Sequence, residues 1–204
     1  MPRPARYAKG LAKREEILTT ALDVIARTGY RGTSVKELAT AVGLSQAGLL
    51  HYFSSKEELF AEILAKRDAV NEEASAERGE SVLEGLVAIV RHNADVPGLV
   101  QLYAQFSVEA SDPGHPAHEV FVERYARVRA MLAADIDARK AAGTLAPTVD
   151  AAVTAGLLIA AADGLQTQWL LDPEVDMAAH LSSLVSLLCP TPGPAPASAQ
   201  APAS

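Results

Sequence analysis

Two Ser-x-x-Glu tetrads, Ser34-Val35-Lys36-Glu37 and Ser55-Lys56-Glu57-Glu58, fix helix starts at two places in the first third of the chain and leave room for one short helix between them. In such a tetrad the serine hydroxyl accepts a backbone N–H of the first turn, and the glutamate reaches back to the serine's own N–H. The spacing predicts helices over 34–41 and from 55 to about 80, with the turn Val42-Gly43-Leu44 and a short segment, 45–53, in between. Upstream, 13–28 places Ile17, Leu18, Ala21, Leu22 and Ile25 on one helical stripe and ends at Gly29, where a C′ glycine belongs. Two short helices joined by a three-residue turn containing glycine have the spacing of a helix-turn-helix.

The remainder also reads as helix. Stripes at Val82, Leu83, Leu86, Val87 and Val90, and at Val120, Phe121, Tyr125, Val128, Leu132 and Ile136, predict helices over 81–95 and 116–142. Pro97 suits the first turn of a helix reaching about 111. The segment 148–171 is apolar on nearly every face, so other helices must cover it on all sides. Asp172-Pro173 reads as the cap and first position of a last helix carrying Met177, Leu181, Leu184, Val185 and Leu188. Aromatic residues make up only 5% of the chain, which weighs against a β-sandwich or barrel. The fold class expected is all-α, with about nine helices.

Charge divides the chain. Residues 1–67 hold eleven Lys/Arg and seven Asp/Glu, a net of +4, and residues 68–204 hold seven and eighteen, a net of −11. A basic head on an acidic body suits a polyanion partner for the head alone. The longest apolar run, 155–162, is far short of the roughly 18 residues of a membrane span, and no charged-then-apolar leader opens the chain, so a cytoplasmic protein without a membrane partner is expected. One cysteine, Cys189, excludes an internal disulfide. His115, His118 and Glu119 lack a convincing fourth metal ligand, and there is no nucleophile triad, phosphate loop or dinucleotide fingerprint. Neither enzyme activity, metal nor cofactor is expected.

In a helix-turn-helix the second helix enters the major groove, where each base pair displays its own donor and acceptor pattern. That helix is 45–51 here, and Ser45, Gln46, Ala47 and Gly48 at its start are expected among the DNA-binding residues. Gln46 is the candidate base reader, because a primary amide pairs with adenine N6 and N7 together. The whole segment, with Gly29-Tyr30, Thr33-Ser34-Val35, Leu38-Ala39, Val42-Gly43-Leu44-Ser45, Leu49 to Phe53 and Ser55 to Leu59, resembles the DNA-binding domain of the TetR family of bacterial transcriptional regulators. The resemblance implies that Lys56 contacts phosphate, that His51 and Tyr52 touch the backbone or a base edge, that Thr33 and Ser34 offer hydroxyls and N–H groups to phosphate, and that Lys36 lies against DNA. Gly48 and Leu50 depart from the family pattern, which more often has Thr or Ser and Tyr there, so Arg3 and Arg6 of the basic N-terminal end gain weight as minor-groove candidates.

The domains expected are a flexible basic arm (1–12), a three-helix DNA-binding domain (13–60), a dimerisation and effector-binding domain (61–189) and a disordered Pro/Ala-rich tail (190–204). One short reading helix binds weakly, so a homodimer on a palindromic double-stranded operator is expected. Its interface is assigned to Leu158, Ala162, Leu165, Leu181, Leu184 and Leu188 on the last two helices. The resemblance further implies a small effector, expected to be apolar or aromatic, and polar or aromatic residues in otherwise apolar helices give its candidate contacts: His92, Tyr103, Phe106, Glu109, Asp163, Gln166 and Trp169. The function expected is a sequence-specific regulator, a repressor released by its effector; the alternative is a nonspecific nucleoid-type DNA binder.

Overall fold

The computed structural model describes residues 4–29 and 33–188. Among these it contains nine helices and no strand: α1 (Pro4–Thr28), α2 (Val35–Ala41), α3 (Gln46–Leu49), α4 (Lys56–Glu77), α5 (Val82–Asn93), α6 (Pro97–Glu109), α7 (His118–Ala141), α8 (Ala151–Leu171) and α9 (Met177–Ser186). The helix-start chemistry read from the sequence is present in full at Ser34 and in part at Ser55, and Ser81 adds a box that the sequence reading did not name. Ser34 and Glu37 form a reciprocal capping box on α2, and Ser81 and Glu84 form another on α5. At Ser55 only half of the box closes: its hydroxyl accepts the Glu58 N–H, while the Glu58 carboxylate turns to Ser54.

Three boundaries differ from expectation. Helix α1 begins at Pro4, so much of the stretch read as a flexible arm is helical; Arg3 and the tail 190–204 lie outside the described residues. Helix α3 is shorter than 45–51, because after Leu49 the backbone tightens, with Tyr52 N–H bonding to the Leu49 carbonyl three residues back. Asp172 caps a turn at Glu174 instead of a helix, and α9 starts four residues later, where Asp176 accepts the Ala179 N–H.

Two apolar cores hold the molecule. The first joins α1, α2, α3 and α4 through Ile17, Ile25, Leu38, Leu49, Phe53 and Phe60, and continues into α6 at Leu99, Leu102 and Phe106. The second lies among α5, α7, α8 and α9, around Leu132, Ile136, Ala155, Leu158 and Leu181. The expected boundary at residue 60 therefore falls inside a continuous core. Gly98 makes this junction close: a Cβ there would stand 2.2 Å from the Ile25 carbonyl oxygen and 2.6 Å from the Gly29 Cα, so α6 meets the end of α1 backbone to backbone.

Candidate nucleic-acid interface and the polar cluster of the body

The turn between α2 and α3 is a glycine-dependent helix stop. Gly43 has φ +70°, its N–H bonds to the Thr40 carbonyl, and the Leu44 N–H bonds to the Ala39 carbonyl, the double closure that ends a helix with a left-handed residue. Buried Leu38, Ala39, Val42 and Leu49 then set α3 across α2. This leaves Ser45, Gln46, Ala47 and His51 exposed on one surface, with Gly48 partly covered. The Ser45 hydroxyl accepts the Gly48 N–H (3.0 Å), so it caps α3. A Cβ at Gly48 would stand 3.2 Å from that hydroxyl, which accounts locally for glycine at this position.

Ser34 and Lys36 are exposed on α2, and Lys56 is exposed at the first position of α4, its ammonium 5.4 Å from the Phe60 ring centre. Tyr52 is half-buried, packed against the head core and edge-on to His51 at 6.0 Å. Thr33 is a correction: it is buried, its hydroxyl donating to the Gly29 carbonyl (2.7 Å) and meeting the Thr28 hydroxyl, so this hydroxyl holds the end of α1 and its proton is not free for phosphate.

Arg14, one of the positive charges of the basic head, points inward. It stands over the Phe53 ring at 4.4 Å, donates to Glu58 (2.9 Å) and Glu62, and reaches the Tyr52 carbonyl. Hydrogen bonding to Glu62 raises its pKa further, opposed by partial burial. Glu58 also accepts from Ser54, and that bond holds its carboxyl below the usual range. The segment leaving α3 is thereby tied to α1 and α4. The signal was in the sequence: Arg14 stands three and four residues before Ile17 and Leu18, on the buried stripe of α1.

The body contains a buried polar cluster. Asp68 on α4 accepts from Arg124 on α7 through both oxygens and from neighbouring Arg67 (3.2 Å). Burial works against the Asp68 carboxylate, but the charges of Arg67 and Arg124 outweigh it and hold its pKa below the ordinary value. Tyr103 on α6 accepts from Arg124 (3.1 Å), and both Tyr103 and Tyr125 contact Asp163 on α8, at 3.0 and 2.8 Å. Burial pushes the pKa values of Tyr103, Tyr125 and Asp163 upward. Arg67, Asp68, Arg124 and Tyr125 were not among the expected ligand contacts, although Arg67 continues the Phe60, Ile63, Leu64 stripe and so occupies a core position.

Of the expected effector contacts, Tyr103 and Asp163 lie together in this cluster. Gln166 is buried elsewhere, accepting from Asn93 (3.3 Å), and Trp169 partly lines a cavity of about 290 Å³ between α5 and the α8–α9 turn. Phe106 belongs to the head core, edge-on to Phe60. His92 and Glu109 are corrections: His92 is exposed beside Asp95, and Glu109 is exposed and accepts from Gln105 (2.8 Å), because each falls on the outer face of its helix.

Three of the six assigned dimer residues also need correcting. Leu158, Ala162 and Leu181 are buried in the subunit's own core, and Leu165, Leu184 and Leu188 pack partly against it. The uncovered face of α8 carries Val153, Leu157, Ala160, Gly164 and Leu171, spaced by four, three, four and seven with exposed Gln168 between the last two, and Leu187 follows α9. Leu157 is 60% exposed, Leu171 84% and Leu187 81%. An all-round apolar helix hides which side its own subunit covers, so sequence alone placed Leu158 and Ala162 on a side that the subunit itself buries.

Among the described residues no helix is long and apolar enough to cross a membrane, and no group of three or more His, Cys, Asp and Glu is placed to hold a metal.

Residues 17–63 match the family model described as bacterial regulatory proteins, tetR family, and residues 86–190 match that of the BetI-type transcriptional repressor, C-terminal. Over 53 residues, 26% of this chain and 25% of the relative, the sequence is 42% identical to the HTH-type transcriptional regulator RutR of Escherichia coli strain K12. It is 38% identical over 90 residues, 44% of each chain, to the HTH-type transcriptional repressor AcnR of Corynebacterium efficiens. The chain thus spans under half the length of these relatives. The structure is similar to that of a transcriptional regulator from Saccharomonospora viridis in complex with choline, with TM-score 0.64 and 27% identity over 85% of this chain and 95% of that one. With the second model alone covering more than half of its length, the chain belongs to the TetR family of bacterial regulatory proteins.

Proposed function

We propose that this protein is a homodimeric, sequence-specific DNA-binding repressor whose hold on its operator is released by a small molecule. The observation that carries the reading is the outward face of 45–51, with Gln46, Ala47 and His51 exposed beside Lys36 and Lys56, on a head that carries net positive charge. In this reading Gln46 reads a base edge, Ala47 offers apolar contact to a thymine methyl, and Ser34, Lys36, His51, Tyr52 and Lys56 hold phosphates and fix register. The acidic body keeps DNA away from every other surface.

Two heads are needed to span half-sites one helical turn apart. The Val153–Leu157–Ala160–Gly164–Leu171 stripe, with Leu187, supplies a self-complementary face of the kind a two-fold interface uses. Effector control is supported by the similar choline-bound regulator and by the buried cluster that α4, itself part of the head core, shares with α6, α7 and α8. A ligand can act here only by binding the DNA-competent and the released arrangements with different affinity.

Footprinting the full-length protein on a bound fragment tests the reading. The expected footprint is two protected major-groove half-sites on one face of the duplex, with Gln46→Ala losing discrimination at a symmetry-related pair of bases. Uniform protection, unchanged by the substitution, would favour a nonspecific binder.

A further inference from the structure

The reading segment is too short to hold its own orientation. Helix α3 is four residues long, and a helix of one turn gains almost nothing from its own hydrogen bonds. The Ser45 cap and the buried Leu49 hold it against α2. Its other end runs into 50–55, the connection to α4. Whatever fixes that connection also fixes where Gln46 and His51 stand relative to a groove.

Arg14 does so. Three consecutive residues of the connection meet this one side chain. Its Nη1 donates to the Tyr52 carbonyl, and its guanidinium carbon lies 4.4 Å from the Phe53 ring centre. Its Nη2 donates (2.9 Å) to the Glu58 carboxylate, which also accepts the N–H and the hydroxyl of Ser54. Nε donates to Glu62 (2.9 Å), and Nη2 reaches the same carboxylate. Every guanidinium nitrogen therefore has a partner inside the head, which commits Arg14 to the protein and not to phosphate. Glu58 and Glu62 stand on successive turns of α4, so the brace ties α1, α4 and the connection at one point. A lysine, with one compact ammonium, cannot meet a carbonyl, two carboxylates and a ring in this planar arrangement.

Charge alone would not select this arrangement. In a positively charged head that faces a polyanion, two carboxylates weaken binding to any DNA. With Arg14 between them they act through geometry instead.

We propose that Arg14 is a positioning residue for sequence reading: it touches no base, and it sets the distance and angle at which Gln46 meets one. The proposal rests on the reading of 45–51 as the segment that enters the groove, and adds the residue on which its discrimination depends.

The test uses the full-length protein, with each variant shown to be folded by circular dichroism. It compares affinity for the fragment that the parent enriches from a random duplex pool with affinity for unselected duplex. Arg14→Met and Glu62→Gln change the head's charge in opposite directions. A pure charge effect would move both affinities together, down for the first variant and up for the second, and leave their ratio alone. A positioning role predicts that both variants lower the ratio, by about tenfold or more, because each removes charge-assisted hydrogen bonds from the brace. Arg14→Lys, which keeps the charge without the fork, is expected to recover only part of the ratio. Asp23→Asn, the same charge change as Glu62→Gln at an exposed position of α1, should leave it unchanged. Because Arg14 acts through Gln46, Gln46→Ala should cost discrimination in the parent and much less in Arg14→Met; an arginine that merely stabilised the head would leave that cost the same in both. Unchanged ratios in Arg14→Met and Glu62→Gln, or a full Gln46→Ala effect in Arg14→Met, would overturn the inference. If Arg14→Met does not fold, Glu62→Gln and its combination with Gln46→Ala decide. A parent that enriches no fragment would remove the sequence-reading function and this inference with it, whereas an enriched fragment with unmoved variants would remove the role of Arg14 alone.

Discussion

Gly98→Ala tests how rigidly the head is joined to the body. A Cβ at this position would lie 2.2 Å from the Ile25 carbonyl oxygen, 2.6 Å from the Gly29 Cα and 3.2 Å from the Gly29 nitrogen. Ordinary contact begins at 3.4 Å, so α6 and the end of α1 must separate by about 1.2 Å. The neighbours are backbone atoms, which cannot rotate away as a side-chain tip does. Overpacking of this kind costs about 1–3 kcal/mol, and the rigid neighbours place Gly98→Ala near 3 kcal/mol. At roughly 2–4 °C per kcal/mol for a chain of this size, the melting temperature should fall by about 6–12 °C. Gly10→Ala is the control: it lies inside α1 with nothing within 4 Å of an added Cβ, so it should gain about 0.5–1 kcal/mol. Differential scanning calorimetry on both variants reads the contrast. A Gly98→Ala protein melting within about 1 °C of its parent would refute the close junction.

Other perturbations separate the remaining roles. Leu157→Asp combined with Leu187→Asp should give a folded monomer by sedimentation, whereas Leu158→Asp should unfold the subunit; a dimer surviving the first pair would remove the proposed interface. Lys56→Ala should weaken binding to all DNA sequences alike and reduce the slope of log affinity against log salt by about 1, and an unchanged slope would remove its phosphate role. Asp68→Asn should cost about 3–5 kcal/mol, because it takes from buried Arg67 and Arg124 the carboxylate they share; urea unfolding within about 1 kcal/mol of the parent would contradict this. The raised pKa of Asp163 gives stability that is complete below its ordinary value of 3.8 and is lost as pH rises through the higher folded value. The stability difference between Asp163→Asn and the parent should therefore move in the variant's favour as pH rises from 4, and a difference independent of pH would contradict the raised value.

What the sequence disclosed follows from how local each signal is. Capping at Ser34 and Ser55 and the stop at Gly43 depend on residues within a few positions of one another, and all three are present in the structure, the Ser55 box with only one of its two bonds. Long-range choices were less legible. Thr33 carries a hydroxyl that suits phosphate in sequence, but the fold turns it onto the Gly29 carbonyl. The side of α8 that stays uncovered depends on where α7 and α9 pack, and a helix apolar all round gives no clue to that. The Arg67–Asp68–Arg124 cluster and the Arg14 brace left a fainter mark, arginines at stripe positions where leucine would be ordinary. Such a mark indicates a buried charge without naming its partner.

Selection of bound fragments from a random pool of duplex DNA by the full-length protein bears most directly on the claim that paired copies of 45–51 read sequence. The account predicts one enriched motif with two-fold symmetry, half-site centres about 34–36 Å apart, and loss of preference at one symmetry-related position when Gln46 is replaced by Ala. A pool retained without enrichment, or an enriched motif that Gln46→Ala leaves unaltered, would contradict it.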